Sequence, residues 1–161
     1  MSDNVAAFTV PPVVKTITVR CSPERAFRAF TAEAARWWPL ATHSMRGSGK
    51  KVEICCFEER VGGRVYQRAE DGSEADWGRI LAWDPPRHFA FSWLVNLAPE
   101  QAQKVAVEFT PVPAGTEVRL THSGWEALGD AAAAAARRRD YDNGWASVFG
   151  ECFRRYADGA G

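Results

Sequence analysis

The stretch "DYDNGWASVFGECFRRY" (residues 140–156) decides the fold, because its apolar residues recur with the period of a helix. Upstream, Asp130 stands where an N-cap belongs, before six alanines, which are strong helix formers. The pattern predicts one long amphipathic C-terminal helix, in which Gly144 marks a kink or a close approach to a sheet. Its apolar stripe consists of Tyr141, Trp145, Val148, Phe149, Cys152 and Tyr156, widened by Phe153.

The chain ahead of that helix is divided into short runs by turn residues. "VVKTITVR" (13–20) alternates and is predicted to be a strand. Two short helices follow at 22–31 and 32–38, the first capped by Ser22 and the second ended by Pro39. Turn signals then separate runs in the manner of an antiparallel meander. The six further strands are predicted at 51–58, 63–69, 74–84, 87–95, 104–110 and 116–123.

A single long amphipathic helix needs an apolar surface, and the inner face of the sheet is the one available. We therefore expect an α+β fold, in which a curved antiparallel sheet of about seven strands wraps around the C-terminal helix. Two short helices follow the first strand, and a gap between sheet and helix would form a pocket. In this scheme residues 13–157 form a single domain, with an N-terminal arm at 1–12 and a C-terminal tail at 158–161.

Composition argues against several functional classes. The 161 residues carry 20 Lys and Arg against 20 Asp and Glu, so we expect neither a nucleic-acid nor a membrane partner. No apolar run approaches the roughly 20 residues of a membrane span, and the first residues lack signal-peptide features, which favours the cytoplasm. None of the four cysteines stands in C-x-x-C spacing, which predicts reduced thiols and no metal site. We also expect no cofactor. The four cysteines are Cys21, Cys55, Cys56 and Cys152.

Strand parity predicts which side chains face the core. Phe89, Phe91 and Trp93 share the inner face of their strand, and His122 falls on the inner face of the strand at 116–123. Three interpretations of His122 stay open: a core-edge histidine bonded to a neighbour, a polar anchor for a ligand, or a general base or metal ligand. The faces of the strand at 74–84 are left unassigned, with Gly78 expected to mark a bulge.

The chain resembles the SRPBCC or START-like superfamily in the phrases "VGGRV" (61–65), "GRILAWDPPRHFAFSW" (78–93) and "GTEVRLTHSGWEAL" (115–128), followed by Gly144-Trp145. Within that superfamily it is similar to the family named after the activator of heat-shock-protein-90 ATPase homologue, over roughly residues 13 to 157. The resemblance implies a helix-grip (START/Bet v 1-like) fold, with two small helices closing the cavity mouth. Superfamily relatives bind lipids, sterols, hormones and other apolar molecules, and some are cyclases or oxygenase subunits.

The family resemblance carries no catalytic motif, so no catalytic residue is assigned. The eukaryotic co-chaperone has an additional N-terminal region where this chain has an arm of 12 residues, and we therefore do not expect a chaperone partner. The leading hypothesis is a protein that binds a small apolar or aromatic ligand in the cavity between sheet and helix. The candidate ligand-binding residues are Trp37, Trp38, Trp77, Phe91, Trp93, His122, Trp125, Trp145 and Phe149.

Two alternative functions stay open. One is a cyclase- or hydrolase-like enzyme that uses the same cavity, with His122 acting beside Asp76 or Glu53. The other is a co-chaperone-like module or a homodimer, which would expose an apolar patch. Arg46, in the loop after the second helix, could meet a ligand carboxylate if that loop covers the pocket.

Two adjacent tryptophans end the second short helix. On a helix, Trp37 and Trp38 point about 100° apart. We expect one indole to turn into the cavity while the other braces the helix. The alternative is that both indoles only seal the core.

Overall fold

The computed structural model of the chain describes residues 8–45 and 49–160. Arg46 lies outside the described residues, so its contact with a ligand carboxylate stays a prediction. The strands are β1 (Val13–Val19), β2 (Val52–Phe57), β3 (Arg64–Ala69), β4 (Glu74–Asp84), β5 (His88–Trp93), β6 (Gln103–Val112) and β7 (Gly115–Ser123). They form one sheet in the order β1-β7-β6-β5-β4-β3-β2, with every neighbouring pair antiparallel.

The helices lie at the two ends of the chain. Helices α1 (Pro23–Phe30) and α2 (Ala34–Trp37) follow β1, and Ser22 caps α1 by accepting a hydrogen bond from the Arg25 amide. After β7 come a 3-10 turn (Trp125–Leu128) and then α3 (Ala131–Ser147), whose N-cap Asp130 accepts from the Ala133 amide at 2.8 Å. A π-helical segment (Val148–Phe153) and α4 (Arg154–Ala160) continue α3. The predicted helix-grip architecture is confirmed.

The apolar stripe of the C-terminal helix changes phase at the π-helical segment. A π-helical turn contains more residues than an α-helical turn. After it, the buried face of the helix therefore falls on residues later in the sequence than a 3.6-residue period predicts. Phe153 and Ala157 are consequently fully buried, whereas Cys152 and Tyr156, which the regular stripe places inward, are half-buried. The sequence predicted the helix and its buried face, but not this shift.

Strand β4 contains the bulge expected near Gly78. Val65 of β3 pairs with Gly78 and Tyr66 pairs with Asp76, which leaves Trp77 unpaired between them. The extra residue turns the Trp77 side chain to the inner face, where it is 1% exposed. A bulge is a usual way to re-aim one side chain of a strand, and here it brings an indole towards the C-terminal helix.

A polar cluster joins α1, the segment before α2, and α4. The Arg25 guanidinium donates two hydrogen bonds to the Glu33 carboxylate, at 2.7 and 2.8 Å. The Tyr156 hydroxyl donates to the same carboxylate at 2.6 Å. These bonds, the arginine's first, lower the pKa of Glu33 to about 2. The cluster therefore holds the two short helices against α4, the end of the C-terminal helix, while Glu33 is ionised.

The described residues of the predicted N-terminal arm are hydrogen-bonded to the domain. The Val10 amide donates to the Glu126 carboxylate at 2.7 Å, and the Arg138 guanidinium donates to the carbonyls of Pro11 and Pro12. At the other end, α4 extends to Ala160, so residues 158–160 continue the helix instead of forming a tail.

Candidate functional site

A pocket of about 550 Å³ lies where β4 and β5 face α3 and the segment after α2. Its apolar lining comes mainly from four tryptophans, one from each of these elements: Trp38, Trp77, Trp93 and Trp145. The lining also includes Val95 and Val148. The sheet, the helix and the loop therefore all contribute to one concave site, in the position expected for a helix-grip cavity.

These four tryptophans form a closed circuit of neighbouring rings, which we call the tryptophan ring. Trp38 is 5.0 Å from Trp77 and Trp77 is 6.1 Å from Trp93, measured between ring centroids. Trp93 is 5.5 Å from Trp145, and Trp145 is 5.8 Å from Trp38. All four pairs are tilted or edge-on, the arrangement that aromatic quadrupoles favour.

Hydrogen bonds to the loop after α2, and to a β3 residue that is bonded to this loop, position two members of the tryptophan ring. The indole N–H of Trp38 donates to the His43 carbonyl at 2.8 Å. The indole N–H of Trp77 donates to Oε1 of Gln67 at 2.8 Å. The same amide accepts from the Met45 amide and donates to the Met45 carbonyl, both at 2.7 Å. Gln67, which is 3% exposed, therefore anchors the loop and one indole together.

The other two members are positioned by hydrogen bonds between the sheet and α3. The indole N–H of Trp93 donates to the Tyr141 hydroxyl oxygen at 2.9 Å, and that of Trp145 donates to Nδ1 of His122 at 3.0 Å. Because an indole N–H only donates, Nδ1 of His122 must be the acceptor. The proton of the neutral imidazole is then on Nε2, which donates to Oε1 of Gln103 at 2.7 Å.

His122 is a buried structural histidine, the first of its three interpretations. Its side chain is fully buried and stacks on Trp125 with ring centroids 4.2 Å apart. Burial lowers the pKa of His122 to about 3, so the ring is neutral at physiological pH. The predicted partnership with Asp76 or Glu53 is wrong, because Asp76 pairs with Arg64 at the exposed face of the sheet and Glu53 is exposed on β2.

The rim of the pocket is polar. It includes His43 and Ser44 from the loop after α2, and Arg137, Asp140 and Tyr141 from α3. The Ser44 hydroxyl donates to a backbone carbonyl at 2.6 Å, and Nδ1 of His43 is 2.8 Å from a neighbouring threonine hydroxyl. Burial raises the pKa of Tyr141, which keeps its hydroxyl protonated. The site thus combines an apolar floor with a small set of polar groups.

Four of the nine candidate residues line the pocket, namely the tryptophan ring. The other five, Trp37, Phe91, His122, Trp125 and Phe149, lie behind that lining in the buried core. Trp37 donates to the Ala29 carbonyl and packs against Phe153 at 5.0 Å. The adjacent tryptophans therefore divide as expected: Trp38 lines the pocket, and Trp37 braces the short helices against the C-terminal helix.

Sequence reasoning did not select Gln67, Tyr141 or Arg137 as site residues. The position of each residue in the sequence pattern nevertheless indicates that it faces the pocket side. Gln67 occupies an inward position of β3, between the buried residues Val65 and Ala69. Tyr141 lies one helical turn before Trp145, and Arg137 one turn before Tyr141, on the same face of α3.

The described ranges, 8–45 and 49–160, contain neither a metal site nor a membrane-spanning helix. No group of three or more His, Cys, Asp or Glu side chains there is placed to hold a metal ion. No helix in those ranges has the length and apolar character of a membrane span. The four cysteines are free thiols, two buried and two half-buried.

A model of the family described as "Activator of Hsp90 ATPase homolog 1-like protein" matches residues 20–157. The chain belongs to this family. Its fold is accordingly the helix-grip fold of the SRPBCC, or START-like, superfamily. No curated protein matches the sequence.

Solved structures of similar proteins extend across nearly the whole chain. An anthrahydroquino-γ-pyrone synthase, Txn09, complexed with SUM, is 34% identical, covers 93% of this chain and 97% of its own, and has a TM-score of 0.59. A protein from Mesorhizobium loti is 21% identical, covers 93% and 98%, and has a TM-score of 0.67. An AHSA1-like protein from Aeromonas hydrophila is 21% identical, covers 92% and 93%, and has a TM-score of 0.63. The last two show likeness in fold alone.

Proposed function

We propose that this member of the activator of Hsp90 ATPase homolog 1-like family binds a flat aromatic small molecule in its tryptophan-lined pocket. One observation carries the proposal: the four indoles of the tryptophan ring line one pocket, and each uses its only N–H on an acceptor within the protein. What the indoles offer a ligand is therefore carbon surface. Such surface favours stacking with another aromatic system, worth about 0.5–1.5 kcal/mol for each ring pair beyond the apolar area buried.

The flat, aromatic character of the ligand has two further supports. Rigid, buried rings favour a rigid ligand over a flexible chain, because a chain loses rotational freedom on binding. In addition, the relative that is 34% identical is named as a synthase of an anthrahydroquino-γ-pyrone, a fused aromatic compound. We extend that ligand class, and no particular compound, to this chain.

Gly144 provides the test, because it lines the pocket and a Cβ built on it meets no atom within 4 Å. We expect Gly144→Leu to keep the helix and to weaken binding of anthracene-2-sulfonate by at least about tenfold, since the new side chain occupies the ligand's space. Gly159→Leu is the matched control: this glycine is on α4, its Cβ also meets nothing, and it does not line the pocket. Calorimetric titration, with octyl sulfate as the aliphatic comparison, measures the affinities.

The result that contradicts the proposal is equal binding by the wild type and by Gly144→Leu, or tighter binding of octyl sulfate than of the aromatic probe. The first would put the ligand outside this pocket. The second would replace the aromatic ligand class with an aliphatic one.

A second function is that of an enzyme that closes a ring on such a ligand. It is favoured by the relative's name as a synthase and by the protic rim, where Tyr141, Asp140 and His43 line the same pocket. A test substrate is a 1-hydroxyanthraquinone with a 1,3-diketone side chain at carbon 2, which closes to a γ-pyrone with loss of one water. Faster closure with the wild type than with Gly144→Leu supports catalysis. Equal rates with both proteins would leave binding as the function.

The co-chaperone-like or dimerising module stays an alternative prediction, and no chaperone partner is expected. Among the described residues the exposed large apolar side chains are Val14 on β1, Val61 in the turn between β2 and β3, and Leu81 on β4. A dimer would be recognised by light scattering.

A further inference from the structure

We propose that the Tyr141 hydroxyl donates a hydrogen bond to a carbonyl oxygen of the bound aromatic molecule, so that the pocket selects flat aromatic ketones and quinones over aromatic hydrocarbons. This inference rests on the proposed function. The polar feature required of the ligand is a carbonyl oxygen, and Tyr141 is the residue that recognises it.

The bond from Trp93 determines which way Tyr141 can act. Because the indole N–H donates to the phenol oxygen at 2.9 Å, that oxygen is already used as an acceptor. The guanidinium of Arg137, one turn earlier on α3, also interacts with this oxygen and opposes the rise in the pKa of Tyr141. What remains to the phenol is its O–H donor. Within the part of the chain that the structure describes, no oxygen accepts that hydrogen.

The position of Tyr141 directs this free donor to the pocket. The side chain lines the pocket and its ring stands edge-on to Trp93, with centroids 5.6 Å apart. The same residue is therefore next to the tryptophan ring, where an aromatic ligand would stack. A donor beside a stacking surface fits a carbonyl attached directly to the ligand's ring system, since that oxygen lies in the ring plane and accepts only.

Three other polar groups at the rim do not offer an equivalent donor. The Ser44 hydroxyl hydrogen is used on the Leu40 carbonyl. His43 is exposed in the loop, where Nδ1 is bonded with the Thr42 hydroxyl. Asp140 is an exposed carboxylate that favours donors on the ligand, not acceptors. Arg137 and Asn96 also line the pocket, the first as a cation and the second as an amide. Tyr141 differs from both because its hydroxyl is bonded to Trp93, a member of the apolar floor.

The experiment uses two probes of the same shape and charge, anthraquinone-2-sulfonate and anthracene-2-sulfonate, which differ in the two carbonyl groups. We expect the wild type to bind the quinone about three- to tenfold more tightly, the range for one neutral hydrogen bond. Tyr141→Phe is expected to lose that preference while still binding anthracene-2-sulfonate. Tyr66→Phe is the control, because Tyr66 is on the outer side of the sheet and does not line the pocket. It should keep the preference.

The outcomes separate this inference from the proposed function. If the wild type binds both probes equally, Tyr141 reads no carbonyl, whatever the variant does, and the pocket proposal stands. If Tyr141→Phe keeps the preference of the wild type, another group is the donor and the inference fails. If the wild type binds neither probe, the aromatic ligand class fails together with this inference.

Discussion

Acidification should destabilise this protein through one buried imidazole. Burial lowers the pKa of His122 to about 3, whereas an unfolded histidine has a pKa of about 6.5. Between these two values the unfolded chain binds a proton that the folded protein refuses, so the free energy of unfolding falls as the pH falls. The slope is about 1.4 kcal/mol for each pH unit well below 6.5. From pH 7 to pH 5 the expected loss is about 2 kcal/mol.

The hydrogen bonds of the His122 imidazole explain why the folded protein does not bind the proton. Nδ1 accepts from Trp145 at 3.0 Å, and a protonated Nδ1 would present a second donor to that indole N–H. Nε2 already donates to Gln103 at 2.7 Å. Protonation would therefore place a charge in the core and break the bond that orients one member of the tryptophan ring.

Urea denaturation followed by tryptophan fluorescence, at pH 7 and pH 5 and at constant ionic strength, measures the effect. We expect His122→Gln to be less stable than the wild type at pH 7 but to lose only a small part of the 2 kcal/mol on acidification. His43→Asn, which removes an imidazole from the exposed loop, should behave as the wild type does. Equal losses in the wild type and in His122→Gln would refute the reasoning, because the titrating group would then be elsewhere.

Two further predictions concern stability. Gly78→Ala should cost about 3 kcal/mol of unfolding free energy, because its Cβ would overlap the Ser92 carbonyl. Gly144→Ala has open space around its Cβ and should be neutral or stabilising by about 0.5–1 kcal/mol. Thermal denaturation of both variants measures the two effects. Glu33→Gln should cost about 1–2 kcal/mol at pH 7 by weakening the pair with Arg25. Since the pKa of Glu33 is lowered to about 2, the stability it contributes is present above pH 4.5 and is lost as the pH falls towards 2. The gap between wild type and variant should therefore close over that range, and a constant gap would assign the loss to packing.

The fold was predictable because it depends on side-chain period, which a sequence displays directly. Alternation placed Phe89, Phe91 and Trp93 on one face, and all three are buried. The phase change at the π-helical segment was not predictable from the stripe, because the regular spacing continues through Cys152 and Tyr156, and Phe153 only widens it. Only packing against the sheet distinguishes the two arrangements, and packing depends on residues distant in sequence.

The candidate site was predictable in its aromatic part and less so in its polar part. Parity states which face a residue occupies but not its depth, so it selected Trp93 and His122 alike. The structure puts the first in the pocket wall and the second behind it. The function of Gln67 depends on a bond to the loop at Met45, across 22 residues, and no local pattern records such a bond.

The layer behind the pocket restricts what the pocket can be. The indole N–H of Trp145 requires Nδ1 of His122 to accept, which puts the proton on Nε2 and makes Oε1 of Gln103 the group that faces the ring. The amide is thereby fixed in one orientation, and its Nε2 is left buried without a partner among the described residues, at a cost of about 1–3 kcal/mol. A leucine at position 103 would avoid that cost but would leave the Nε2–H of His122 unpaired, whereas a leucine at position 122 would keep the cost and leave the Trp145 N–H unpaired. The buried polar chain thus keeps the floor apolar, and under the proposed function we expect the polar group of the ligand to be bound at the rim, where Tyr141 lies.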